Sequence, residues 1–373
     1  MKQGKNYWKA NEDNDMKFTA IVGNPPYQVN QGSDKSSSNS AMAGAIYPLF
    51  IDAACKVNPT HISLITPSRW MTKSGRGISN EWVDKMLNAN HFVAIFDYLN
   101  ASDCFSGVEI KGGVNYFLFS SAYVGKCNYT LNHDGISTSK CEYLNASGMG
   151  VVIRDTTATN ILQKIIDVEG VYTNNLNFSD LVAPNTLFCD CARGILNTNW
   201  DGYVLKRDSV HDVKYYLNRN LVSDGYAWIA KEDMIKSFEV LDLHKVYIPE
   251  AAGTGQDMQI LGTPFYGEPH SICSQTYICI GYDHVKHNLS KEQCLNVISY
   301  IKTRFFRYMV SIKKKTQHAF ASVYEFVPMQ DFTSSSDIDW SKSVAEIDQQ
   351  LYAKYGLDES EISFIESKIK PME

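Results

Sequence analysis

The tetrapeptide Asn24-Pro25-Pro26-Tyr27 is the part of the sequence best suited to chemistry on a nucleic-acid base. The two prolines fix two φ angles and remove two backbone N–H donors, so the carbonyl groups of this loop point in set directions at low entropy cost. The Asn24 carboxamide beside such a carbonyl can accept the hydrogens of an exocyclic amine, and the Tyr27 ring offers a flat face for stacking. Together these features predict a site for an adenine amino group drawn out of a duplex. The alternative is an Asx-Pro turn that carries a surface tyrosine.

Strands and helices alternate through the part of the chain that must position this loop. The apolar run Phe18–Val22 directly precedes the loop and is typical of a buried parallel strand. Further apolar patterns predict helices around Ile46–Ala54 and Trp82–Leu87 and strands at Ile62–Ile65, Phe92–Leu99 and Val114–Phe119. This order predicts an open α/β sheet wound with helices, and such sheets bind ligands at the carboxyl ends of their strands.

The rest of the chain has a different pattern. After a helix predicted at Thr157–Val168, short aromatic-rich strands alternate with polar loops. Apolar residues within Val344–Tyr355 share one helical face, and Asp358 with Glu361 forms a capping box that opens another helix. We therefore expect a partial α/β domain over residues 1–150, a mixed α+β domain over 151–335 and a helical tail over 336–373.

Composition restricts the class of protein. The chain has 373 residues, of which 44% are hydrophobic and 20% charged, so it has ample material for a folded core. It contains no run of eighteen apolar residues, which predicts a cytoplasmic protein without a membrane anchor. Its nine cysteines include no Cys-x-x-Cys pair and its nine histidines no His-x₃-His pair. We expect reduced thiols and no metal site.

Positive charge is concentrated in one segment, although the net charge of −6 taken alone argues against a nucleic-acid partner. No acidic residue occurs between Glu292 and Glu325. Six basic residues in that interval form what we call the basic strip: Lys302, Arg304, Arg307, Lys313, Lys314 and Lys315. The strip lies on a helix predicted to start near Lys291, and it predicts contacts with the phosphates of double-stranded DNA. The alternative is a solvated helix face.

Three segments resemble a known family, the adenine-specific members of the amino-group DNA methyltransferases of restriction–modification systems. Ile21–Gln28 resembles motif IV of these enzymes, Ile62–Trp70 resembles their next strand and loop, and Phe105–Val114 resembles a later loop and strand. The resemblance implies a Rossmann-like methyltransferase sheet followed by a target-recognition domain. It also implies that S-adenosylmethionine is the cofactor and that DNA is the partner.

The same resemblance implies roles for individual residues. Asn24 and the backbone carbonyl of Pro25 would hold the target amine, Pro26 would complete the rigid loop, and Tyr27 would stack on the flipped base. Phe105 is the candidate for a second stacking residue.

One departure from the family pattern concerns the cofactor. The glycine-rich S-adenosylmethionine loop of the family, and the acid that holds the ribose, precede motif IV by far more than the 23 residues present here. We therefore expect a C-terminal part of a methyltransferase, inactive alone, which acts with an N-terminal part or a partner subunit. Its cofactor-binding residues remain unassigned. We also expect the Phe18–Val22 strand to present an unpaired edge that promotes self-association.

Two alternatives stay open at this point. The chain could be a non-catalytic DNA-recognition module, which calorimetry with S-adenosylmethionine would distinguish from an enzyme. It could also be part of a restriction endonuclease, because Val108–Lys111 has the apolar-Glu-apolar-Lys form of a metal-dependent nuclease strand. Asp97 or Asp103 would then supply the second carboxylate for Mg²⁺.

Overall fold

The protein folds into two compact units, Met1–Thr159 and Asn160–Glu373. The structure is a computed structural model. It describes residues 18–28, 44–73, 77–133, 135–145, 150–154, 156–170, 177–253, 258–314 and 316–372. Within these ranges no helix has the length and apolar character needed to cross a membrane.

A mixed six-stranded sheet forms the centre of the first unit, in the order β1-β2-β4-β3-β5-β6. Its strands are β1 (Ala20–Gly23), β2 (His61–Pro67), β3 (Phe92–Tyr98), β4 (Val114–Phe119), β5 (Cys127–His133) and β6 (Ile136–Glu142). β1, β2, β3 and β5 run in one direction, whereas β4 and β6 run antiparallel to their neighbours. The carboxyl ends of β1, β2 and β3 therefore lie at the same end of the sheet, which we call the carboxyl edge.

Helices on this sheet begin and end where the sequence provides caps. In α1 (Tyr47–Val57) a proline occupies the first turn, and Asn58 ends the helix in the left-handed conformation with φ of 54°. In α2 (Asn80–Asn88) the Ser79 side chain accepts a hydrogen bond from the Trp82 amide. A further helix, α3 (Thr156–Glu169), contains the boundary between the two units.

The core of the first unit is rich in aromatic side chains. Trp70 and Phe92 are fully buried and their rings stack with centroids 5.6 Å apart, and Phe117 meets Phe92 edge to face. The sheet with its helices confirms the α/β class predicted from the sequence. The hairpin β5–β6 was not predicted, because the outermost strand Ile136–Glu142 is mostly polar and exposed and has no apolar alternation.

The second unit contains two three-stranded sheets, ordered β10-β9-β12 and β11-β7-β8. Their strands are β7 (His211–Tyr216), β8 (Tyr226–Ala230), β9 (Lys245–Pro249), β10 (Phe265–Gly267), β11 (Ser271–Cys273) and β12 (Tyr277–Ile280). The helices of this unit are α4 (Lys291–Lys302), α5 (Arg304–Lys313), α6 (Val344–Lys354) and α7 (Glu359–Lys368).

The segment that carries the basic strip forms two helices instead of the single helix that we predicted. Thr303 separates α4 from α5, with a ψ of 151° that ends the first helix. Its hydroxyl group accepts a hydrogen bond of 3.1 Å from the Phe306 amide and so caps the second. The last two helices confirm the prediction: α6 is followed by Gly356 at a φ of 61°, and Asp358 with Glu361 forms the expected capping box.

Candidate active site

The loop that follows β1 leaves the sheet at the carboxyl edge and is fixed at its far end. Gln28 forms an antiparallel bridge with Ala45, and the Ile46 amide donates a hydrogen bond of 3.1 Å to the Tyr27 carbonyl. Asn24 is exposed and Pro25 is buried. No hydrogen bond between described residues occupies the Asn24 carboxamide or the Pro25 carbonyl. The loop therefore carries two acceptors, neither of which is bound to another described residue.

Tyr27 is anchored by packing and keeps part of its ring accessible. Its half-buried ring meets the Tyr47 ring edge to face, with centroids 6.4 Å apart. Its hydroxyl oxygen is buried without a hydrogen-bond partner among the described residues. Burial raises the pKa of this hydroxyl group, and the Cys104 thiol raises it further. The hydroxyl group consequently stays neutral at physiological pH, which suits a ring that stacks on an uncharged base.

An apolar groove of about 420 Å³ lies beside the loop. Asn24, Pro25 and Pro26 line one part of it, and the rest consists of apolar side chains of β1, β2 and α1. Its lining, drawn from the described residues, contains no charged side chain. Val22, on β1, is 78% exposed although it belongs to a strand of hydrophobic residues.

A second loop, residues 99–113, connects β3 to β4 and carries Phe105. It starts with a short 3₁₀ helix at Ala101–Asp103, and the Phe105 amide donates a hydrogen bond of 2.8 Å to the Ala101 carbonyl. The electrostatic influence of Cys104 on Tyr27 places this loop near the first one. Phe105 itself is half-buried. Its role in stacking stays a prediction, because no ring contact with Tyr27 is formed among the described residues.

A buried cluster of polar side chains lies at the same edge, centred on Asp97. Asp97 is fully buried and accepts hydrogen bonds from the Ser68 hydroxyl at 2.6 Å and the Tyr129 hydroxyl at 2.5 Å. The Arg154 guanidinium binds the same carboxylate through Nε and Nη2, both at 2.5 Å. We call these four residues the Asp97 cluster. Asn115 joins its margin by donating to the Ser68 hydroxyl at 3.2 Å.

The electrostatics of the cluster favour a permanent ion pair. Burial alone would lower the pKa of Arg154, but the Asp97 carboxylate outweighs this effect and the pKa is raised above its ordinary value. Burial, followed by the Asp97 charge, raises the pKa of Tyr129 well above its ordinary value. Tyr129 therefore remains a hydrogen-bond donor.

The cluster removes Asp97 from the hypothesis of a nuclease metal site, which then depends on the exposed Asp103. Both carboxylate oxygens of Asp97 are occupied by protein donors, which leaves them no capacity to bind Mg²⁺. Val108–Lys111 lies in the loop between β3 and β4 and not on a strand, and Glu109 is exposed. The loop interpretation of this segment is therefore the right one. The Arg154 contact was missed from the sequence, although an aspartate within the apolar run Phe92–Tyr98 signals a buried polar partner.

The basic strip is largely committed to internal contacts, which makes the phosphate prediction wrong for two of its residues. Arg307 and Lys314 are both 0% exposed. Arg307 donates to the carbonyls of Thr303 at 3.1 Å and Lys302 at 3.0 Å. Lys314 donates to the carbonyls of Ala252 at 3.1 Å and Thr316 at 2.9 Å and also to Gly253. Neither side chain can reach a phosphate from the interior.

Two further members of the strip are paired with carboxylates. Lys313 forms an ion pair with Glu325, and Arg304 lies 3.0 Å from Glu366. Lys302 is half-buried, and Lys315 lies outside the described residues. The strip contains no acid of its own, but the fold brings acids to it from later in the chain.

Residues 1–105 match the family model described as Eco57I restriction-modification methylase. This match includes the Asn24–Tyr27 loop and confirms the resemblance recognised in the sequence. The chain is also 36% identical over 122 residues to an "uncharacterized adenine-specific methylase" of Mycoplasma pneumoniae. That similarity covers 33% of this chain, and the chain spans 28% of the length of that relative.

Solved restriction enzymes are similar to the chain at low sequence identity. The type IIG restriction endonuclease BpuSI is 12% identical with a TM-score of 0.34, and the similarity covers 94% of this chain and 53% of that one. The type IIL restriction-modification enzyme MmeI, solved in complex with DNA, is 10% identical with a TM-score of 0.39, over 94% of this chain and 56% of that one.

Proposed function

We propose that this chain contributes the base-binding part of a site-specific DNA adenine-N6 methyltransferase of a restriction–modification system. The observation that supports this most strongly is a pair of acceptors, the Asn24 carboxamide and the Pro25 carbonyl, which no described residue binds and which lie next to the half-buried Tyr27 ring in the same loop. The family match over residues 1–105 and the name of the Mycoplasma relative support the same reaction.

Asn24 and Pro25 would act on the nucleophile. Their two oxygens accept the two hydrogens of the adenine amino group, while Tyr27 stacks on the flipped base. Positive charge develops on the amine nitrogen as it is methylated, so these hydrogen bonds strengthen in the transition state. In this account S-adenosylmethionine supplies the methyl group.

The described residues do not by themselves fit S-adenosylmethionine. This cofactor carries an ammonium, a carboxylate and a ribose with two hydroxyl groups, and each of these needs a polar partner. The groove beside Asn24 offers apolar side chains and no charged one. We therefore propose that other residues complete the cofactor site.

The residues that complete the cofactor site would belong to a methyltransferase part that joins the sheet at β1. This part would be either N-terminal to the chain or a partner subunit. β1 pairs only with β2 among the described strands. Four apolar side chains of β1 and α1 are well exposed: Val22 (78%), Leu49 (66%), Phe50 (43%) and Val57 (48%). Exposed apolar surface beside an open strand edge recruits another chain. Without that partner we expect a second copy to occupy the edge, which light scattering of wild type and Val22→Lys would reveal.

Double-stranded DNA is the proposed partner of the second unit, as its target-recognition part. Aromatic side chains of β8 lie close to cations there: the guanidinium of Arg207, in the loop before β7, is 5.3 Å from the Trp228 ring centre, and Nζ of Lys214 on β7 is 4.3 Å from that of Tyr226. Such pairs can contact both bases and phosphates. Glu268, 2.7 Å from Lys214, limits the net positive charge, so stacking contributes more than charge.

The test combines the chain with the polypeptide encoded immediately upstream. The two are co-expressed in a host that lacks DNA methylation, and N6-methyladenine in the host DNA is measured by mass spectrometry. We expect methylation only when both are present, and calorimetry should show no tight binding of S-adenosylmethionine by this chain alone. Sequence-specific DNA binding without methylation in every combination would favour a non-catalytic recognition module instead.

A further inference from the structure

The loop 99–113 is attached to the sheet through the Asp97 cluster at its return to β4. The Arg154 Nη1 group donates a hydrogen bond of 2.9 Å to the Gly112 carbonyl, while Nε and Nη2 bind Asp97. The Ser68 amide donates to the Gly113 carbonyl at 3.0 Å. One guanidinium thus joins a carboxylate at the end of β3 to the last turn of the loop.

The turn at Gly112 and Gly113 leaves no space for side chains. Both residues have positive φ, 90° and 82°. A Cβ atom at Gly113 would lie 2.1 Å from the Tyr98 carbonyl oxygen, and one at Gly112 would lie 2.8 Å from Cγ of Arg69. Only glycine permits this approach. The turn is therefore packed closely between the strand end and the two arginines.

The middle of the loop depends on these attachments. The amides of Asp103, Cys104 and Phe105 donate only to carbonyls of Asn100 and Ala101, and the Val108 amide donates to Phe105. All of these hydrogen bonds are local, so they shape the loop without fixing its place over the sheet. Of the backbone hydrogen bonds among the described residues, those at its two ends are therefore the ones that join the loop to the sheet.

We propose that Arg154 is a positioning residue that sets the place of loop 99–113, and with it Cys104 and Phe105, relative to Asn24–Tyr27. The consequence for catalysis rests on the proposed function, whereas the effect on the loop does not. A planar guanidinium can bind a carboxylate through two nitrogens and a carbonyl through the third, which a lysine ammonium cannot reproduce. A buried ion pair adds little net stability compared with apolar packing, so its contribution here is geometrical.

Thiol labelling of the full chain tests the positioning directly. Cys104 lies in the loop and is partly buried, while Cys127 lies buried in β5. A short pulse of N-ethylmaleimide followed by peptide mass mapping gives the labelling rate of each. Tyr129→Phe is the matched control, because it removes a hydrogen bond to Asp97 and no contact with the loop.

In Arg154→Met we expect Cys104 to be labelled roughly tenfold faster, the factor that the loss of a charge-assisted hydrogen bond brings. Cys127 should keep its wild-type rate, and Tyr129→Phe should leave both rates within about twofold. Arg154→Lys, which keeps the charge, should give a smaller increase at Cys104 and serves where the methionine variant does not fold. An unchanged Cys104 rate, or equal acceleration of Cys127, would overturn the proposal.

The effect of the Arg154 variants on methyl transfer is measured with the co-expressed methyltransferase. Arg154→Lys should lower kcat and leave the KM for S-adenosylmethionine unchanged, since the loop faces the base site. A rise in this KM at constant kcat would contradict a role at the base. If the wild-type complex transfers no methyl group, the proposed function fails, while the labelling result still decides whether Arg154 positions the loop.

Discussion

The Asn24–Tyr27 loop and the basic strip both looked functional in the sequence, but the fold uses their polar groups in opposite ways. The carboxamide of Asn24 and the carbonyl of Pro25 have no hydrogen-bond partner among the described residues. In the strip, Arg307 and Lys314 are buried and bound to backbone carbonyls. Polar groups left available at a rigid strand end indicate binding, whereas charges satisfied inside the protein indicate structure.

The two features differ in how far along the sequence the residues that determine them lie. Two prolines and a preceding strand fix the loop within a few residues, so the sequence alone reveals its geometry. The charge of the strip is balanced by groups that approach only in the fold, such as Glu366, which lies 3.0 Å from Arg304. A run of like charges therefore predicts an external partner less reliably than a short rigid loop does.

The largest expected effect is on catalysis. In the co-expressed methyltransferase, Asn24→Ala should lower kcat by roughly 10²–10³, the effect of removing one preorganised group that stabilises developing charge. DNA affinity should stay within a few-fold, because this contact strengthens only in the transition state. Steady-state kinetics and a filter-binding assay check both. Gln28→Ala, which changes an exposed carboxamide four residues away, is the control and should retain near-normal kcat.

A large effect on stability is expected within the strip. Lys314→Met leaves buried carbonyls without their donor, which should lower the free energy of unfolding by about 3 kcal/mol. Urea denaturation measures this. Lys313→Met removes the pair with the half-exposed Glu325 and a contact with the Phe326 ring, and it should cost about 1 kcal/mol or less. Equal losses in the two variants would remove the distinction between a buried and a peripheral member of the strip.

The start of α5, the helix that carries three of the six residues of the strip, should also give the protein a pH-dependent stability. Asp348 is buried and accepts hydrogen bonds from the amides of Arg304 and Phe305, both at 2.9 Å. Burial raises its pKa to about 6. Because the folded-state pKa exceeds the unfolded one, the protonated form favours folding, and this stabilisation is present below about pH 4 and lost as the pH rises through 6.

This loss amounts to about 3 kcal/mol for a shift of roughly two pKa units. Urea denaturation at several pH values between 4 and 7 should show the fall in the free energy of unfolding. Asp348→Asn should remove it, since the amide does not titrate. A fall of the same size in Asp348→Asn would assign the pH dependence to another group.

A moderate effect is expected at Tyr27. Tyr27→Ala should weaken binding of the flipped base by roughly 1–3 kcal/mol through loss of stacking. Tyr27→Phe keeps the ring and removes a buried hydroxyl group without a partner, so base binding should persist and stability should not fall. If Tyr27→Phe lost as much binding as Tyr27→Ala, the hydroxyl group and not the ring face would carry the interaction.

The smallest effect concerns Lys302, the half-buried member of the strip for which no carboxylate partner is found among the described residues. Lys302→Ala should reduce the slope of log K for DNA against log salt by about one unit at most, the contribution of a single phosphate contact. A reduction of several units would restore the strip as a DNA-binding surface.

Local features of the fold could be predicted from the sequence, and long-range pairings could not. The strand before the loop was expected at Phe18–Val22 and is found at Ala20–Gly23. The break at Thr303 was missed, because a single threonine within a helical pattern shows its capping role only once the chain turns there. The contact between Asp97 and Arg154 joins residues 57 apart, and no spacing rule predicts such a pair.

The most direct test of the central comparison measures methyl transfer per folded molecule in two variants of the co-expressed methyltransferase. Folded protein is quantified by circular dichroism, and transfer of a tritiated methyl group to DNA is counted. We predict that Asn24→Ala keeps wild-type stability and loses activity, whereas Lys314→Met loses stability and keeps wild-type activity per folded molecule. Full activity in Asn24→Ala, or activity in Lys314→Met that falls further than its folded fraction, would contradict the account.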